Sequence, residues 1–559
     1  MQTPTVAETE VCIIGAGPAG LLVATELAKQ QIHVVILESG QRHPLAERPD
    51  YAKRFLRGEN PWQSAVPGID AHTTAGRVRY SLDWMRARGV GGSSLHWEGY
   101  TLRLHPDDFQ LRRVHGIADD WPLTYEKLEP YYASAERALG VAGVADDPWA
   151  APRSSAFPLP PFPFSYSDAL FLQACSRLGI ALQHLPQARN SIAYAGRSQC
   201  RACGTCHVCP TGAKASVDLT HAPQLEASPT VQILAETTAL MLQVDPSGRV
   251  GSVLYVGPDR AQHELKSRIF VLAAGGVETP RLLLLSSSPS HPHGLANRSG
   301  CVGRYFMSHP LLDVSGRLDA KTYPYRIGFS TAMCRQFAVE GDRRRHGAFM
   351  LEILNRAGPA PQEIAVASGA PGRALRQAVA EQFGHWVGIR IYCEQLPDGQ
   401  NAVTLDPTIT DPFGQPVPHL TYDVGPYERQ TLRRALDIAT SILRAMGAAE
   451  IRVAHLWHGA HQIGTCRMGV DPASSVVDAD LRCHDVENLY LVGSGVFVTG
   501  SASPPTLTIA ALATRAGEHI ASILRHRDQR GSADAREDMC KSFANRCDSG
   551  HPEAKFEEA

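Results

Sequence analysis

Neither a long apolar run nor an excess of one charge is present in this chain. No segment approaches the ~18–20 consecutive apolar residues of a membrane-spanning helix, so we expect no transmembrane segment. The 54 Lys and Arg residues nearly balance the 56 Asp and Glu residues, which leaves a formal net charge of −2. That balance gives no electrostatic reason for binding nucleic acid, and we expect no nucleic-acid partner.

The amino terminus shows no export signal. Residues 1–10 are polar and acidic, and they lead into an apolar run at Val11 without a basic region or a cleavage site. This pattern is not that of a secretory signal peptide. We therefore expect no signal peptide, so that export would depend on another protein.

Cysteine is too scarce for a disulfide scaffold, since there are 13 in 559 residues. Four of them nevertheless form a run at three-residue spacing, followed by a proline: Cys200, Cys203, Cys206 and Cys209. Repeated Cys-x-x-Cys turns direct several thiolates at one small volume, as an iron–sulfur cluster requires. We predict such a cluster, with a structural Zn²⁺ site and a metal-free thiol loop as the alternatives.

A dinucleotide-binding pattern opens the chain. A buried strand is predicted at residues 11–14 and a second at 34–37, with apolar residues at helical spacing between them. The first strand is followed by a G-x-G-x-x-G turn made of Gly15, Gly17 and Gly20. In this context the glycines allow a tight turn, close approach of a pyrophosphate and close helix packing. Glu38 ends the second strand, where an acid can bind ribose hydroxyls.

The length indicates more than one domain, because single cores stop growing near ~250–300 residues. Residues 269–275 and 489–493 have the same strand-then-small-residue pattern as the first strand, and helices are predicted from Pro280 and over 506–523. These stretches predict a discontinuous α/β domain of Rossmann type. Alternating segments at 388–395 and 402–405, with a helix over 427–446, predict a second domain with an antiparallel sheet and helices.

Several further motifs follow the glycine turn in a fixed order: residues 89–94 (GVGGSS), 120–125 (DWPLTY), 128–132 (LEPYY), 276–281 (GVETPR), 302–307 (VGRYFM), 461–465 (HQIGT) and 505–510 (PTLTIA). Together they resemble the glucose–methanol–choline (GMC) flavin oxidoreductases. The resemblance extends from residue 10 to about 523. It is strongest with the branch of bacterial FAD-dependent glucose, gluconate and fructose dehydrogenases.

The resemblance implies that the dinucleotide is FAD and that a glycine-rich loop passes beside the flavin. The implied loop residues are Gly89, Gly91, Gly92, Ser93 and Ser94, and further implied contacts are Ala274, Gly493 and Ser494. His96 follows that loop, and related pyranose 2-oxidases carry a covalent flavin link at a histidine in a similar position. A covalent link at His96 is therefore one hypothesis, and a packed loop histidine is the other.

The resemblance also implies a division of the chain. Residues 1–110, 200–310 and 452–525 would form the FAD-binding domain, the second part with the cysteines and the third with the catalytic histidine. Residues 111–199 would form a substrate or lid segment, and residues 311–451 the substrate-binding domain. Residues 526–559 are poor in apolar residues and are expected to form a flexible tail.

Alcohol oxidation needs a base for the hydroxyl proton while the flavin accepts a hydride, and a histidine suits that task. His461 occupies the place that resembles the family's catalytic histidine, whereas His455 and His458 suit structural roles. The family usually has Asn or His before its Pro-Thr-Leu-Thr motif, but this chain has Pro504, which offers no donor. His458 and an ordered water are the candidates to replace it.

We therefore expect an FAD-dependent dehydrogenase that oxidises a sugar or glycoside hydroxyl, at an aldose C1 or a ring secondary alcohol. A 3Fe–4S or 4Fe–4S cluster would pass electrons to a protein acceptor such as a cytochrome. An O₂-dependent alcohol or sugar oxidase is the first alternative, and a lyase whose flavin does no redox work is the second. The resemblance allows a small accessory subunit, so the enzyme is expected in the cytoplasm, or in the periplasm if a partner carries it there.

Overall fold

The computed structural model describes residues 7–323 and 327–547, and in these residues the strands form three sheets. In chain order the strands are β1 (Glu8–Ile14), β2 (Val34–Leu37), β3 (Thr73–Ala75), β4 (Gln183–His184), β5 (Val231–Leu234), β6 (Thr238–Val244), β7 (Val250–Val256), β8 (Gln262–Leu272), β9 (Pro310–Arg317), β10 (Ala332–Cys334), β11 (Phe349–Leu354), β12 (Trp386–Cys393), β13 (Ala402–Thr410), β14 (Pro416–Thr421), β15 (Glu450–Val453), β16 (Trp457–His458) and β17 (Leu489–Leu491).

The helices connect and cover these sheets. They are α1 (Pro18–Ala28), α2 (Arg48–Leu56), α3 (Leu111–His115), α4 (Tyr125–Leu139), α5 (Tyr166–Arg177), α6 (Val217–Thr220), α7 (Ala222–Glu226), α8 (Gly275–Leu285), α9 (Gln336–Val339), α10 (Pro361–Ser368), α11 (Gly372–Gln382), α12 (Pro426–Ala445) and α13 (Thr506–Cys547). Within the described ranges, none of them is long and apolar enough to cross a membrane.

The first sheet is the Rossmann-type core that the sequence predicted. Its order is β5-β2-β1-β8-β7-β6, and β17 pairs with the end of β8 beside β7. β5, β2, β1, β8 and β17 run parallel, so their carboxyl ends lie at one edge. Helix α1 packs against α13, which joins the carboxyl-terminal part of the chain to the amino-terminal strands. The α/β class and the discontinuous assembly of this domain are confirmed.

The second sheet is antiparallel, in the order β15-β9-β12-β11-β10-β4, with β16 pairing to the start of β9. Its side chains alternate between two environments, as strand geometry requires. One face buries apolar residues such as Val314, Ile389 and Leu351 against α12 and α5. The other face carries Leu311, Asp313, Arg390 and Tyr392 towards the first sheet. The expected sheet-plus-helix second domain is thus present, and β13, β14 and β3 add a small third sheet.

The sequence misplaced the start of α8. A helix was predicted from Pro280, but α8 begins at Gly275 and contains that proline. Proline cannot donate to the carbonyl four residues earlier, which is that of Gly276. The Thr465 hydroxyl donates to the Gly276 carbonyl instead, at 2.7 Å, so a long-range contact satisfies the group that the proline leaves unpaired.

The sequence also ended the last helix too early. The prediction was a helix over 506–523 with a flexible tail from 526, whereas α13 continues to Cys547. Residues 526–547 contain four Arg and three Ala, which favour helix, and no Pro to end it, even though apolar residues become rare. Residues 548–559 of the predicted tail lie outside the described residues.

Candidate active site

A cavity of about 770 Å³ lies between the carboxyl edge of the parallel sheet and the polar face of the antiparallel sheet. Ligands of open α/β sheets bind at such an edge. Residues predicted to contact FAD or substrate line much of its wall: Gly15, Gly17, Glu38, Gly92, Ser93, Ser94, His96, Ala274, Gly493, Ser494 and His461. Gly20, Gly89 and Gly91 support that wall from outside the cavity.

The glycine turn after β1 has little space for side chains. A Cβ on Gly20 would lie 1.9 Å from the Gly15 carbonyl oxygen, which explains why α1 can pack so close to the turn. Gly15 itself has φ +108°, and its Cβ would meet the Ala273 carbonyl at 2.6 Å. Gly17 begins α1 and lines the cavity, so the free N–H groups of that helix face the site.

Glu38 organises the backbone around the glycine turn. Its carboxylate accepts N–H groups from Ala16 (2.9 Å), Gly40 (2.8 Å) and Gly89 (3.1 Å). Burial raises the pKa of Glu38, while these hydrogen bonds and Arg88 oppose that shift. Glu38 lines the cavity, and its Oε2 accepts the Ala16 N–H while the other two N–H groups go to Oε1, so Oε2 retains the capacity to accept a ribose hydroxyl.

The predicted flavin loop packs directly on the glycine turn. Gly91 has φ +111° and donates its N–H to the Ala16 carbonyl at 2.9 Å. A Cβ on Gly92 would lie 2.8 Å from Gly17 Cα. Two glycine-rich segments that are 70 residues apart in the chain therefore meet backbone to backbone at the cavity.

The cavity wall fits FAD by its chemistry as well as its place. Gly275 and Gly493 line it, and a Cβ on either would meet no protein atom closer than 3.9 Å, so both leave backbone accessible to a ligand. His96 also lines the cavity, and its Nε2 is buried without a hydrogen-bond partner among the described residues. Burial lowers the pKa of His96 to about 3, so the ring is neutral. The covalent link at His96 stays a prediction.

An extended segment after β16 holds His461 at the cavity wall. The Gly459 N–H donates to the His309 carbonyl at 2.8 Å, which continues the pairing of β16 with β9. On the other side, Ser494 Oγ donates to the Gln462 carbonyl at 2.6 Å. The segment that contains His461 therefore lies next to Gly493 and Ser494. The sequence predicted both segments as parts of the site but not that they are neighbours.

The protonation state of His461 suits a base. Burial and the neighbouring His309 ring hold its pKa well below its ordinary value. His461 is therefore neutral at neutral pH and has a nitrogen lone pair for a substrate proton.

Pro504 lines the cavity but has no side-chain group that could donate a hydrogen bond. His458 does not line it: its ring stacks on Tyr80, with centroids 3.6 Å apart, and it is buried there. His455 is exposed and lies away from the cavity wall. The residue on the wall next to His461 with an amide group is Gln462, which donates to the Tyr80 hydroxyl at 3.3 Å.

Among the described residues the four cysteines do not form one metal site, although the Cys206 thiol lies close enough to Cys200 and Cys209 to interact with them. Cys203 is exposed and lies 3.1 Å from the Thr205 hydroxyl, whereas Cys206 is buried and accepts from Arg189 Nη1 at 3.7 Å. Throughout residues 7–323 and 327–547, no group of three or more His, Cys, Asp or Glu side chains is arranged to hold a metal ion. The cysteines as placed therefore give no support to the predicted iron–sulfur cluster or to a Zn²⁺ site, and the proposed reaction depends on neither.

The cysteine segment does support the predicted flavin loop. Lys214 Nζ donates to the carbonyls of Leu95 (3.2 Å) and Trp97 (2.5 Å), and His207 Nδ1 lies 3.0 Å from the His96 carbonyl. Burial lowers the pKa of Lys214 to about 8, although the thiols of Cys209 and Cys206 oppose that shift. Three successive carbonyls around His96 are thus held by this segment.

Comparison with known proteins identifies the family. Residues 71–311 and 397–513 match models described as GMC oxidoreductase, and residues 8–51 match one described as FAD binding domain. The chain is 31% identical over 540 residues to fructose dehydrogenase large subunit from Gluconobacter japonicus, covering 92% of this chain and 98% of that protein. The chain belongs to the GMC oxidoreductase family. This GMC oxidoreductase binds FAD and is an oxidoreductase acting on CH–OH groups.

Other relatives of this GMC oxidoreductase differ in their named substrates. It is 30% identical to 2-methyl-1,2-propanediol dehydrogenase from Mycolicibacterium austroafricanum (93% of this chain, 96% of that protein). It is also 30% identical to 6'''-hydroxyparomomycin C oxidase from Streptomyces lividus (92% of each). Pyridoxine 4-oxidase from Mesorbium loti shares the fold, with a TM-score of 0.62, 20% identity, and coverage of 91% of this chain and 99% of that one.

Two groups of residues at the site had no sequence signal. His309 is fully buried and touches His461, but a single histidine before a strand has no distinctive spacing. Asp313 and Arg390 face the cavity from strands 77 residues apart in sequence, and only the sheet register brings them together. Alternation within β9 and β12 could have indicated which face they share, but not that the face borders the cavity.

Proposed function

We propose that this GMC oxidoreductase oxidises a hydroxyl of a sugar or glycoside, at an aldose C1 or a ring secondary alcohol of a glucoside. The observation that carries the proposal is a row of carboxyl and guanidinium side chains on the cavity face of the antiparallel sheet. Fructose dehydrogenase large subunit and the paromomycin-type oxidase, two of its relatives, support the substrate class by their names.

The row is built by sheet register. Glu352 on β11 is opposite Arg390 on β12, which is opposite Asp313 on β9. Arg390 donates to Asp313 in a bidentate pair, with Nε–Oδ1 at 2.8 Å and Nη2–Oδ2 at 3.0 Å. Glu98 approaches from the flavin loop, 3.7 Å from Arg390 Nη1. Of these, Arg390, Asp313 and Glu98 line the same cavity as His461.

Such a wall suits a polyhydroxylated substrate. Carboxylate and guanidinium edges form paired, charge-assisted hydrogen bonds, which match adjacent hydroxyls. The Trp457 ring lies 4.8 Å from the Arg390 guanidinium and adds an aromatic surface to the cavity. Burial and the charge of Glu98 raise the pKa of Glu352, so this carboxyl is held neutral behind the row. A site built to bind hydroxyls rejects analogues that lack them.

The chemistry then divides between His461 and the bound cofactor. The glycine turn, Glu38 and the flavin loop would hold FAD, which when bound would supply a two-electron hydride acceptor. A ring nitrogen of the neutral His461 takes the hydroxyl proton as the carbonyl forms. The sheet row fixes the sugar so that one hydroxyl lies at His461, and the cavity walls exclude water from the reacting carbon.

Substitution Arg390→Gln is expected to raise KM for the sugar by roughly 10–100-fold, because it removes charge-assisted hydrogen bonds of ~1.5–3 kcal/mol. The rate of flavin reduction at saturating sugar should change much less, since His461 and the FAD contacts are untouched. The control is Arg452→Gln, which removes an exposed arginine of the same sheet that pairs with Glu450. Equal KM values for wild type and Arg390→Gln would contradict the proposed substrate wall.

For the electron acceptor we propose a protein such as a cytochrome, reached with or without a small accessory subunit, so that the enzyme is a dehydrogenase. One relative's name, which denotes a large subunit, supports this arrangement. We expect sugar oxidation under air to require an added artificial acceptor and to release little peroxide. Stoichiometric peroxide would instead identify an O₂-dependent oxidase, the alternative favoured by the name of the paromomycin-type relative.

A further inference from the structure

His309 lies directly behind His461. It precedes β9, it is fully buried, and it does not line the cavity. Its Nδ1 is 2.7 Å from Nδ1 of His461, with the two rings nearly perpendicular at 82° and their centroids 4.8 Å apart. A nitrogen–nitrogen distance of this length requires a hydrogen between the atoms, since two lone pairs would repel.

The other nitrogen of His309 determines which ring supplies that hydrogen. Its Nε2 lies 3.0 Å from the Ser501 carbonyl oxygen and 3.4 Å from that of Gly500. Carbonyl oxygens only accept, so Nε2 of His309 carries a hydrogen. Burial lowers the pKa of His309 to about 4, despite the nearby Glu394 carboxylate, so the ring is neutral with a single N–H. Nδ1 of His309 is therefore an acceptor.

The proton on His461 then has one possible place. Since His309 Nδ1 accepts, Nδ1 of His461 must donate, and neutral His461 has its single hydrogen there. Nε2 of His461 is left with the lone pair. Because Nδ1 is directed at the buried His309, Nε2 is the ring nitrogen available to the cavity that His461 lines.

We infer that His309 is a positioning residue, which holds His461 in the Nδ1-protonated form so that Nε2 is the atom that removes the substrate proton. This inference rests on the proposed function of His461. After proton transfer, His461 has a hydrogen on each nitrogen, and the one on Nδ1 remains bonded to His309. The backbone carbonyls of Gly500 and Ser501, just before Pro504, thus set the orientation of the base through His309.

The inference is tested with two substitutions of His309. Leucine cannot accept a hydrogen bond, so His309→Leu should slow anaerobic flavin reduction by roughly 10²–10⁴-fold, as other losses of the correct tautomer do. KM and FAD content should change little. Asparagine can place its side-chain oxygen near the position of Nδ1, so His309→Asn should recover much of the rate. His221→Leu is the control, since His221 is another buried histidine that does not line the cavity.

A spectroscopic measurement separates positioning from a merely structural role. In holoenzyme labelled with ¹⁵N-histidine, the signals of His461, identified by their loss in His461→Gln, should show a protonated Nδ1 and a bare Nε2. His309→Leu should convert them to a mixture of tautomers. A wild-type spectrum with the hydrogen on Nε2 would overturn the inference, even if His309→Leu does not fold.

The inference and the proposed function can fail separately. Loss of flavin reduction in His461→Ala together with a normal rate in His309→Leu would remove the positioning role and leave His461 as the base. Normal rates in both variants would remove both assignments.

Discussion

Replacing His461 with alanine is expected to slow flavin reduction by the sugar by roughly 10²–10⁴-fold, the usual contribution of a positioned base. FAD should remain bound, because the glycine turn, Glu38 and the flavin loop hold it independently of His461. The measurement is rapid-mixing absorbance of the flavin in the absence of O₂. His461→Gln is the matched variant, since it preserves a polar side chain of similar length without a basic nitrogen.

The pH dependence of the same reaction follows from the lowered pKa of His461. The base acts in its neutral form, and burial beside His309 keeps that form below the ordinary histidine pKa of about 6.5. Flavin reduction should therefore show no loss centred at pH 6.5 and should decline only at lower pH. An unchanged rate in His461→Ala, or an acid limb at pH 6.5 that disappears in this variant, would contradict the account of the base.

Gly20→Val is expected to abolish most FAD binding and to lower the free energy of unfolding by at least about 2–3 kcal/mol. Any Cβ at this position would lie 1.9 Å from the Gly15 carbonyl oxygen and 3.2 Å from Ile13 Cγ2. The Gly15 oxygen belongs to the backbone and cannot rotate away as a flexible side chain can, so α1 must move away from the turn. Its amino terminus would then no longer face the cofactor phosphates.

The measurement is the flavin-to-protein ratio of the purified variant, with chemical denaturation for stability. Gly251→Ala is the control, because Gly251 is in β7 of the same sheet and a Cβ there would meet no atom closer than 3.5 Å. A Gly20→Val protein with a full complement of FAD would show that α1 is not packed as described.

The sequence predicted the nucleotide-binding part of the fold well because its signals are local. Buried parallel strands are continuous apolar runs, and the β1-α1-β2 unit adds a glycine turn that only one geometry explains. Its element limits were close: β2 spans the predicted residues 34–37, and β1 ends at the predicted residue 14. The α8 boundary failed because the partner of the Gly276 carbonyl is Thr465, which is distant in sequence.

The candidate site was only partly predictable for the same reason. His461 and the glycines belong to contiguous motifs, so their residue types could be recognised one segment at a time. His309 and Arg390 act through contacts with residues that lie 152 and 77 positions away, and no local pattern encodes those contacts. The iron–sulfur cluster stays a sequence prediction, because the described residues show no group of His, Cys, Asp or Glu side chains arranged to hold a metal ion.

We propose that a sugar hydroxyl is oxidised by hydride transfer to the flavin of this GMC oxidoreductase. The most direct test of this proposal is the visible spectrum of the anaerobic holoenzyme before and after each member of a panel of sugars, glycosides and simple alcohols. We expect a sugar or glycoside to bleach the oxidised-flavin band. A flavin that stays oxidised with every sugar, while an alcohol bleaches it or a substrate is cleaved without bleaching, would contradict the account.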